Sequence, residues 1–533
     1  MSEKPHSVQS AALRGQLQLV HALQQQPMEL SETHISWILL NGGFAYKIKK
    51  ALDLGFLDFS TLAKREFYCA EEIRLNRRLA PELYLDVIPI GGSVDAPLPG
   101  KLPAIEYAVR MRRFAVSDQM DALLATHQLR IEHMDRLADV LARFHASLPP
   151  ADPASAFGTA DAILAVSKQN FEQLGTLLGT PDDRRALQAL QLATEAEFAA
   201  CQPIFAQRRK AGLVRECHGD LHLGNIVLID DQPVPFDCLE FDPGLRWIDV
   251  INEIAFPMMD LMHRQHNGFA FRLLNAYLET TGDYAGVALL RFYLAGRATV
   301  RAKVSAIRIK QCSIQPSLSQ ADATTAQAEC RSYLALAATL LEPRRGALII
   351  THGLPGSGKS TLALAILERK QAIRLRSDVE RKRLFGIKAL DHSGAKQDIY
   401  SAQATRQTYA WLQQTAQRLL EAGYTVIIDA AFLRLEERTM FRRLSQQMKV
   451  PFAIASTQAE AAILRTRIRH RSALGNDASE ADIAVLEKLT NVQQPLSPEE
   501  LTHTAIFESQ AGSSGFGNLI ESWDKLDRLL AAT

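Results

Sequence analysis

The chain has 533 residues, beyond the ~250–300 at which a single core stops growing, so two or three domains are expected. Apolar residues make up 47% and charged residues 22%, globular proportions that exclude a disordered, fibrous or coiled-coil chain. A net charge of +1, from 60 basic and 59 acidic side chains, argues against bulk coating of nucleic acid, and six cysteines with no Cys-x-x-Cys pair make neither a disulfide framework nor a zinc site.

Met1 to Met28 is polar and glutamine-rich, without the apolar core of a signal peptide. No stretch reaches the ~18 apolar residues of a membrane span, so a cytoplasmic chain with no membrane partner is expected. Residues 11–25 carry Leu13, Leu17, Val20 and Leu23 at helical spacing. His34–Leu40 and Phe44–Lys49 read as two strands joined by Asn41-Gly42-Gly43, a hairpin signal. Lys64–Leu79 reads as a helix that stops before Pro81, and Leu83–Ile90 and Glu106–Phe114 as strands around the Gly/Pro loop 91–103. Residues 120–211 are mostly helical, 213–237 strand-rich, and 247–342 helical again.

A second beginning lies at 343–346, where Glu342-Pro343-Arg344-Arg345-Gly346 breaks a helix. The expected division is 1–343 and 346–533. After it comes the apolar strand Ala347–Thr351. Helix 359–370, strand 372–376, helix 398–422, strand Thr425–Ile428, helix 436–447, strand 451–455 and helix 459–472 then alternate. Alternation of this kind predicts an α/β domain with a parallel sheet. Residues 346–533 carry 24 basic and 20 acidic side chains, against 36 and 39 in the rest.

Residues 353–360 read Gly353-Leu354-Pro355-Gly356-Ser357-Gly358-Lys359-Ser360, followed by Thr361. This fits G-x-x-x-x-G-K-[ST] between a strand and a helix, the context a phosphate-binding P-loop requires. Glycines let backbone N–H groups curl around phosphate oxygens, and the helix N-terminus adds partial positive charge. Lys359 is expected on the β/γ-phosphates of ATP and the Ser360 hydroxyl on Mg²⁺. Asp378 lies 19 residues beyond Lys359, after a predicted strand, placed to take a proton from an attacking hydroxyl. Arg381 follows it. Val426-Ile427-Ile428-Asp429 is an apolar strand ending in a carboxylate that can bind Mg²⁺ through water or hold the acceptor. Arg465, Arg467, Arg469 and Arg471 stud one segment; Arg467 and Arg471 share a helical face and can close over the phosphates.

This loop, the Asp378-x-x-Arg381 pair, the strand ending in Asp429 and the lid-like arginines resemble small P-loop kinases, including polynucleotide 5′-hydroxyl kinases and zeta-toxin-type kinases. The resemblance covers most of 346–500. It implies Asp378 as general base, Arg381 orienting the acceptor and Arg471 as the lid arginine.

The first domain carries a different signature. Residues 218–225 read His218-Gly219-Asp220-Leu221-His222-Leu223-Gly224-Asn225, and Asp237 follows in Pro235-Phe236-Asp237-Cys238. The Asp-to-Asn spacing of five equals that of the kinase catalytic loop. One carboxylate takes the acceptor proton, an amide five residues on holds Mg²⁺, and a second carboxylate bridges metal to phosphate. His218 and His222 are four apart, but Gly219 and Gly224 make this a loop rather than a metal-binding helix.

The string resembles aminoglycoside phosphotransferase and choline-kinase-like enzymes, over roughly residues 30–300. That implies an α+β, protein-kinase-like bilobal domain ahead of the P-loop domain. It implies Asp220 as catalytic base, Asn225 and Asp237 as Mg²⁺ ligands, and Asp249 as a buttress of the catalytic loop. Phe44-Ala45-Tyr46-Lys47 resembles V-A-I-K, so Lys47 would hold the α/β-phosphates, with Lys49 as rival. Glu72, ahead of a helix 73–79, would partner that lysine, with Glu71 as rival. Glu106–Met111 would connect the lobes and contact adenine. No G-x-G-x-x-G precedes the lysine strand. The whole arrangement resembles bacterial fusions of an aminoglycoside-phosphotransferase-like domain with an AAA-type P-loop kinase.

The expected function is a bifunctional ATP-dependent phosphotransferase with two ATP–Mg²⁺ sites, acting on hydroxyl groups of small molecules. Two alternatives stand beside it: a regulatory ATPase in which one domain is a nucleotide switch, and a polynucleotide 5′-hydroxyl kinase. A nucleic-acid partner is the less favoured of the acceptor classes.

Overall fold

The computed structural model describes residues 6–24, 28–53, 55, 57–312, 320–389, 391, 399–474, 478, 481–508, 516–517 and 519–531. By packing, the chain divides into two units, Met1–Asp260 with Gly296–Leu334, and Leu261–Ala295 with Ala335–Thr533. The division differs from the one read at 343–346. A Pro/Gly break marks where the chain turns, whereas packing follows the apolar faces of helices. The faces of 261–295 go to the second unit.

In the first unit, α1 (His6–Gln24) precedes β1 (Glu29–Glu32), β2 (Ser36–Asn41), β3 (Phe44–Lys49), α2 (Leu62–Asn76), β4 (Tyr84–Gly92), β5 (Pro97–Pro99) and β6 (Glu106–Arg112). The strands form one sheet in the order β1-β2-β3-β6-β4-β5, antiparallel throughout. The β2–β3 hairpin turns through Gly42-Gly43, with Asn41 paired to Phe44. Period-2 alternation gives the sheet two apolar faces. Ile48, Trp37, Leu39 and Ala108 pack with Leu19, Val20 and Leu23 of α1. Ala45, Val109 and Tyr84 pack with Cys69 and Ile73 of α2. The Thr61 side chain caps α2 by accepting from the Lys64 N–H, a contact worth about 1 kcal/mol. Glu72 therefore lies inside α2 rather than ahead of a helix. Glu106–Met111 is a central strand rather than the connector; the chain leaves the sheet after Arg112. Neither β1 nor β5 was foreseen, because both are short and polar or proline-bounded.

The rest of this unit is mostly helical. It comprises α3 (Met120–Ala125), α4 (Glu132–Ser147), α5 (Ala160–Leu177), α6 (Pro181–Lys210), β7 (Val214–Glu216), β8 (Ile226–Ile229), β9 (Gln232–Pro235), α7 (Pro243–Arg246), β10 (Trp247–Asp249) and α8 (Val250–His263). Two antiparallel ribbons, β7–β10 and β8–β9, hold the loop 217–225 between them. The chain continues through α9 (Asn267–Thr281), α10 (Leu290–Cys312) and α11 (Gln320–Leu341).

The second unit is an α/β layer with a parallel sheet. Its elements are β11 (Leu348–His352), α12 (Lys359–Lys370), β12 (Ile373–Arg376), α13 (Ser377–Leu384), α14 (Ala402–Glu421), β13 (Val426–Asp429), α15 (Leu435–Met448), β14 (Phe452–Gln458), α16 (Ala461–Leu474), α17 (Ile483–Val492), α18 (Pro498–Thr502), β15 (Thr504–Glu508) and α19 (Ile520–Ala531). The order is β12-β13-β11-β14-β15, parallel at every pair. All five residues of β11 are buried, as a strand covered on both faces must be. Burial of each of Leu348, Ile349 and Ile350 stabilises by about 1.5–3 kcal/mol. Strand β15 and helices α13, α17, α18 and α19 extend the sequence reading.

Helix α9 belongs to this unit and covers the outer edge of β12. The Asn275 amide donates to the Ala372 carbonyl at 2.9 Å, and its oxygen accepts the Arg374 N–H at 2.7 Å. Asn275 thus satisfies the edge groups that an open strand leaves unpaired. Residues 25 and 398, expected ends of α1 and α14, lie outside the described residues, as do 313–319 of the expected helical stretch. Among the described residues no helix is long and apolar enough to cross a membrane.

Candidate active sites

The first site is built where β3, α2, the loop 217–225 and the segment after β9 meet. Lys47 and Lys49 point to the same face of β3 and both reach Glu72: Lys47 Nζ to Oε1 at 2.9 Å, Lys49 Nζ to Oε2 at 2.5 Å. Their second partners differ. Lys47 donates to Asp237 Oδ1 at 2.5 Å, whereas Lys49, with no exposed surface, donates to Glu240. Lys47 is thus the lysine at the open carboxylate and Lys49 the one behind it. Burial works against both charges, but the surrounding carboxylates outweigh it and hold both lysine pKa values above the usual range. Glu71, the rival to Glu72, faces away and binds Arg74 and Arg246.

Asp237 sits at φ +63°, a conformation that is strained for a side chain with Cβ. Three contacts hold it. Its N–H donates to the Tyr84 hydroxyl at 3.0 Å, and the next N–H, of Cys238, donates to Asn76 Oδ1 at 2.8 Å. The Phe236 N–H donates to the Asn225 carbonyl at 2.9 Å. Burial would raise the Asp237 pKa, and adjacent Lys47 overcomes that and holds it below the usual carboxylate value. Asp220 and Asn225 lie together, with the Asn225 amide nitrogen 2.9 Å from the Asp220 carbonyl and 3.3 Å from its Oδ2. The Asp220 carboxylate is 40% exposed, open to a substrate.

The scaffold beneath this loop differs from the expected one. Asp249 is clamped by Arg208, Nε to Oδ2 at 2.7 Å and Nη2 to Oδ1 at 2.8 Å. Three of the loop's N–H groups go to two carboxylates of α8. Glu253 takes His218 and Gly219, and Asp260 takes Leu223 at 3.0 Å. The buttress has moved one helical turn and more along the chain, into α8.

The second site lies at the C-terminal ends of β11, β12 and β13, where open α/β sheets bind ligands. The loop 353–358 joins β11 to α12, and Gly358 caps that helix at φ +97°. Gly356 has φ +80°, and a Cβ there would stand 2.8 Å from the Leu464 carbonyl, so α16 packs directly on the loop. Arg467 of α16 donates to the Gly356 carbonyl at 3.4 Å, and Arg471 to the Ala481 carbonyl at 2.8 Å. Lys359 Nζ reaches back to the Leu354 carbonyl at 2.8 Å. Burial lowers its pKa to about 8 against the opposing pull of Asp429 and Asp378. Ser357 is tied to Thr457 at 2.6 Å. Thr361 is exposed on α12.

Ser360 Oγ donates to Asp429 Oδ1 at 3.3 Å. Asp429 Oδ2 is buried and accepts no hydrogen bond among the described residues. A hydroxyl beside a half-satisfied buried carboxylate is a hard-oxygen donor set that fits Mg²⁺. Asp378 opens α13, half-buried on the Lys359 side. Arg381 is buried, donating to the Ile399 carbonyl at 3.0 Å and to Thr405 Oγ1 at 3.2 Å beneath the Tyr400 ring.

Residues 69–290 match the phosphotransferase enzyme family and residues 348–496 an AAA domain family. The Mycobacterium tuberculosis protein called Uncharacterized protein Rv2004c is 30% identical over 475 residues, covering 87% of this chain and 90% of that protein. The chain belongs to its family, which joins a phosphotransferase domain to a P-loop kinase domain. Among solved structures, a choline/ethanolamine kinase family protein from Mesorhizobium loti covers 59% of this chain and 92% of its own, at 12% identity and TM-score 0.36. A gluconokinase from Sinorhizobium meliloti covers 35% and 95%, at 18% identity and TM-score 0.26.

Membership in this phosphotransferase–kinase family makes the chain a kinase-type enzyme with a protein-kinase-like half and a parallel P-loop half. Several site-forming residues were missed in the sequence: Tyr84, Asn76, Glu240, Glu253 and Asp260 at the first site, Arg374, Arg376 and Glu279 at the second. Only Asp260 and Glu253 were findable, as acidic residues on one face of the helix that follows the motif.

Proposed function

We propose that the protein is a bifunctional phosphotransferase with two ATP–Mg²⁺ sites, each transferring phosphate to a hydroxyl of a small molecule. The observation that supports it best is the placing, in each half, of a lysine near a carboxylate fit for a cation: Lys47 bonded to Asp237, and Lys359 beside Ser360 and Asp429.

In the first site Lys47, oriented by Glu72, holds the α/β-phosphates. Asn225 turns its amide nitrogen to Asp220, which leaves its oxygen, with Asp237, to hold Mg²⁺. Asp220 accepts the acceptor's proton as the hydroxyl oxygen bonds to the γ-phosphorus and the bond to the β–γ bridging oxygen breaks, releasing ADP. In the second site the N–H groups of Gly356, Gly358 and Ser360 and the Lys359 ammonium cradle the phosphates. Ser360 and Asp429 hold Mg²⁺, and Asp378 is the base. Arg467 and Arg471 of α16 close on the phosphates. Arg381 shapes the acceptor side by holding residues 399–405. In both sites Mg²⁺ neutralises charge on the β- and γ-phosphates.

The test is ADP release over a metabolite panel, with wild type, Asp220→Asn and Lys359→Ala. Each substitution is expected to abolish turnover of one substrate set and spare the other, by about 10²–10⁴-fold for the base. Loss of all turnover in one variant and none in the other would instead make one site a switch. Wild-type turnover in both would refute the assignments. A labelled 5′-hydroxyl oligonucleotide belongs in the panel.

A further inference from the structure

Glu279 stands on α9, within the stretch that matches the phosphotransferase family. Yet it faces the P-loop carboxylate's surroundings. Its Oε2 accepts Arg374 Nη2 at 2.7 Å and its Oε1 accepts Arg376 Nη1 at 2.8 Å. Each carboxylate oxygen takes one guanidinium. Both arginines stand on β12, next to β13, and both approach Asp429 Oδ2 without bonding to it: Arg374 Nη1 is at 3.7 Å and Arg376 Nε at 3.9 Å. The arginines are largely buried, with 7% and 16% of their side chains exposed. A guanidinium this close to a buried carboxylate that accepts no other bond on Oδ2 would normally close to a bidentate pair. Such a pair would occupy the oxygen that a cation needs.

We propose that Glu279 is a positioning residue for the P-loop site, which draws Arg374 and Arg376 off Asp429 and keeps its Oδ2 available to Mg²⁺. The inference rests on the reading of Ser360 and Asp429 as the cation ligands. The two arginines remain near enough to favour an anionic phosphate while Asp429 Oδ2 accepts no hydrogen bond among the described residues. Loss of the Glu279 charge lets a guanidinium close on Asp429, in competition with the cation.

The experiment measures binding of a fluorescent ATP analogue to the full chain, with Lys47→Met present throughout to silence the first site, across a Mg²⁺ titration and in EDTA. Glu279→Gln is expected to raise the Mg²⁺ concentration at half-saturation by roughly tenfold or more, the size of one charge-assisted hydrogen bond. Affinity in EDTA is expected to stay within twofold, by roughly the same reasoning, because the phosphate cradle is untouched. An unchanged Mg²⁺ requirement, or equal loss with and without Mg²⁺, would overturn the proposal and leave Glu279 a structural residue. Arg376→Gln reads the same competition if Glu279→Gln does not fold: it removes one competitor, so the Mg²⁺ requirement falls, and a rise would overturn the idea. Lys359→Ala in the same background separates the two levels. If it binds nucleotide like its parent, the P-loop reading itself fails, whatever Glu279 does.

Discussion

Lys47 and Asp237 are 190 residues apart in the chain and meet at 2.5 Å, while Lys49, two residues along the same strand, meets Glu240 instead. The two lysines should therefore fail differently. Lys47→Met leaves Glu72 paired to Lys49 and Asp237 partly exposed, so the fold persists and the first site loses nucleotide affinity. Lys49→Met strands Glu240 in the interior, which should destabilise by about 3–5 kcal/mol. Urea unfolding and nucleotide titration on both variants check the contrast. Equal stability loss would remove the distinction.

Burial lowers the Lys359 pKa into a range that ordinary buffers reach. With a pKa of about 8, Lys359 is mostly neutral above that pH when no nucleotide is bound, and a bound phosphate favours the charged form. Nucleotide binding at the P-loop should therefore take up protons at pH 8–9, and affinity should fall as pH rises through about 8. Calorimetry in buffers of different ionisation enthalpy measures the uptake. Lys359→Arg, charged at every pH in reach, should abolish it.

Glu380 gives a pH effect on stability. It is buried, with Tyr284 donating to Oε1 at 3.1 Å, Arg383 at 3.6 Å from Oε2, and Glu279 as a nearby like charge. Burial pushes its pKa up to about 7. A raised carboxyl contributes stability that is complete below the unfolded value and is lost as pH climbs through about 7, worth about 3 kcal/mol if fully expressed. Glu380→Gln should match wild type at pH 4 and unfold at a higher temperature at pH 8. A melting curve at each pH settles it.

Asn275→Ala removes both bonds to the edge of β12 and leaves the Arg374 N–H and Ala372 carbonyl buried without that partner. The expected destabilisation is about 2–4 kcal/mol, confined to the second unit. Hydrogen exchange at Arg374 should accelerate more than at Leu348 in the central strand. Uniform acceleration would mean a global effect instead.

Legibility in the sequence followed locality. The strings 353–360 and 218–225 are contiguous, and each sits between the elements its spacing demands. Lys47 and Lys49 were not separable, because strand periodicity puts both on one face and only Glu240, 191 residues away, tells them apart. Glu72 and Glu71 were separable only once the extent of α2 was known. Asp249 was read as the buttress, whereas the N–H groups of His218, Gly219 and Leu223 go to Glu253 and Asp260, because a carboxylate's place in the string does not say which N–H it will meet. The packing boundary was invisible for a related reason. Nothing in the composition of 261–295 says which sheet its apolar face will meet.

That last feature also sets an order of events. Asn275 leaves the ribosome 99 residues before Arg374, about 5–20 s earlier at ordinary elongation rates. Meanwhile Phe271, Leu274 and Leu278 of α9 have no sheet to cover. The nascent chain therefore carries these apolar side chains uncovered through that interval. The edge of β12 is thus covered by a helix made well before the strand itself, and the covering contact closes only after both are synthesised.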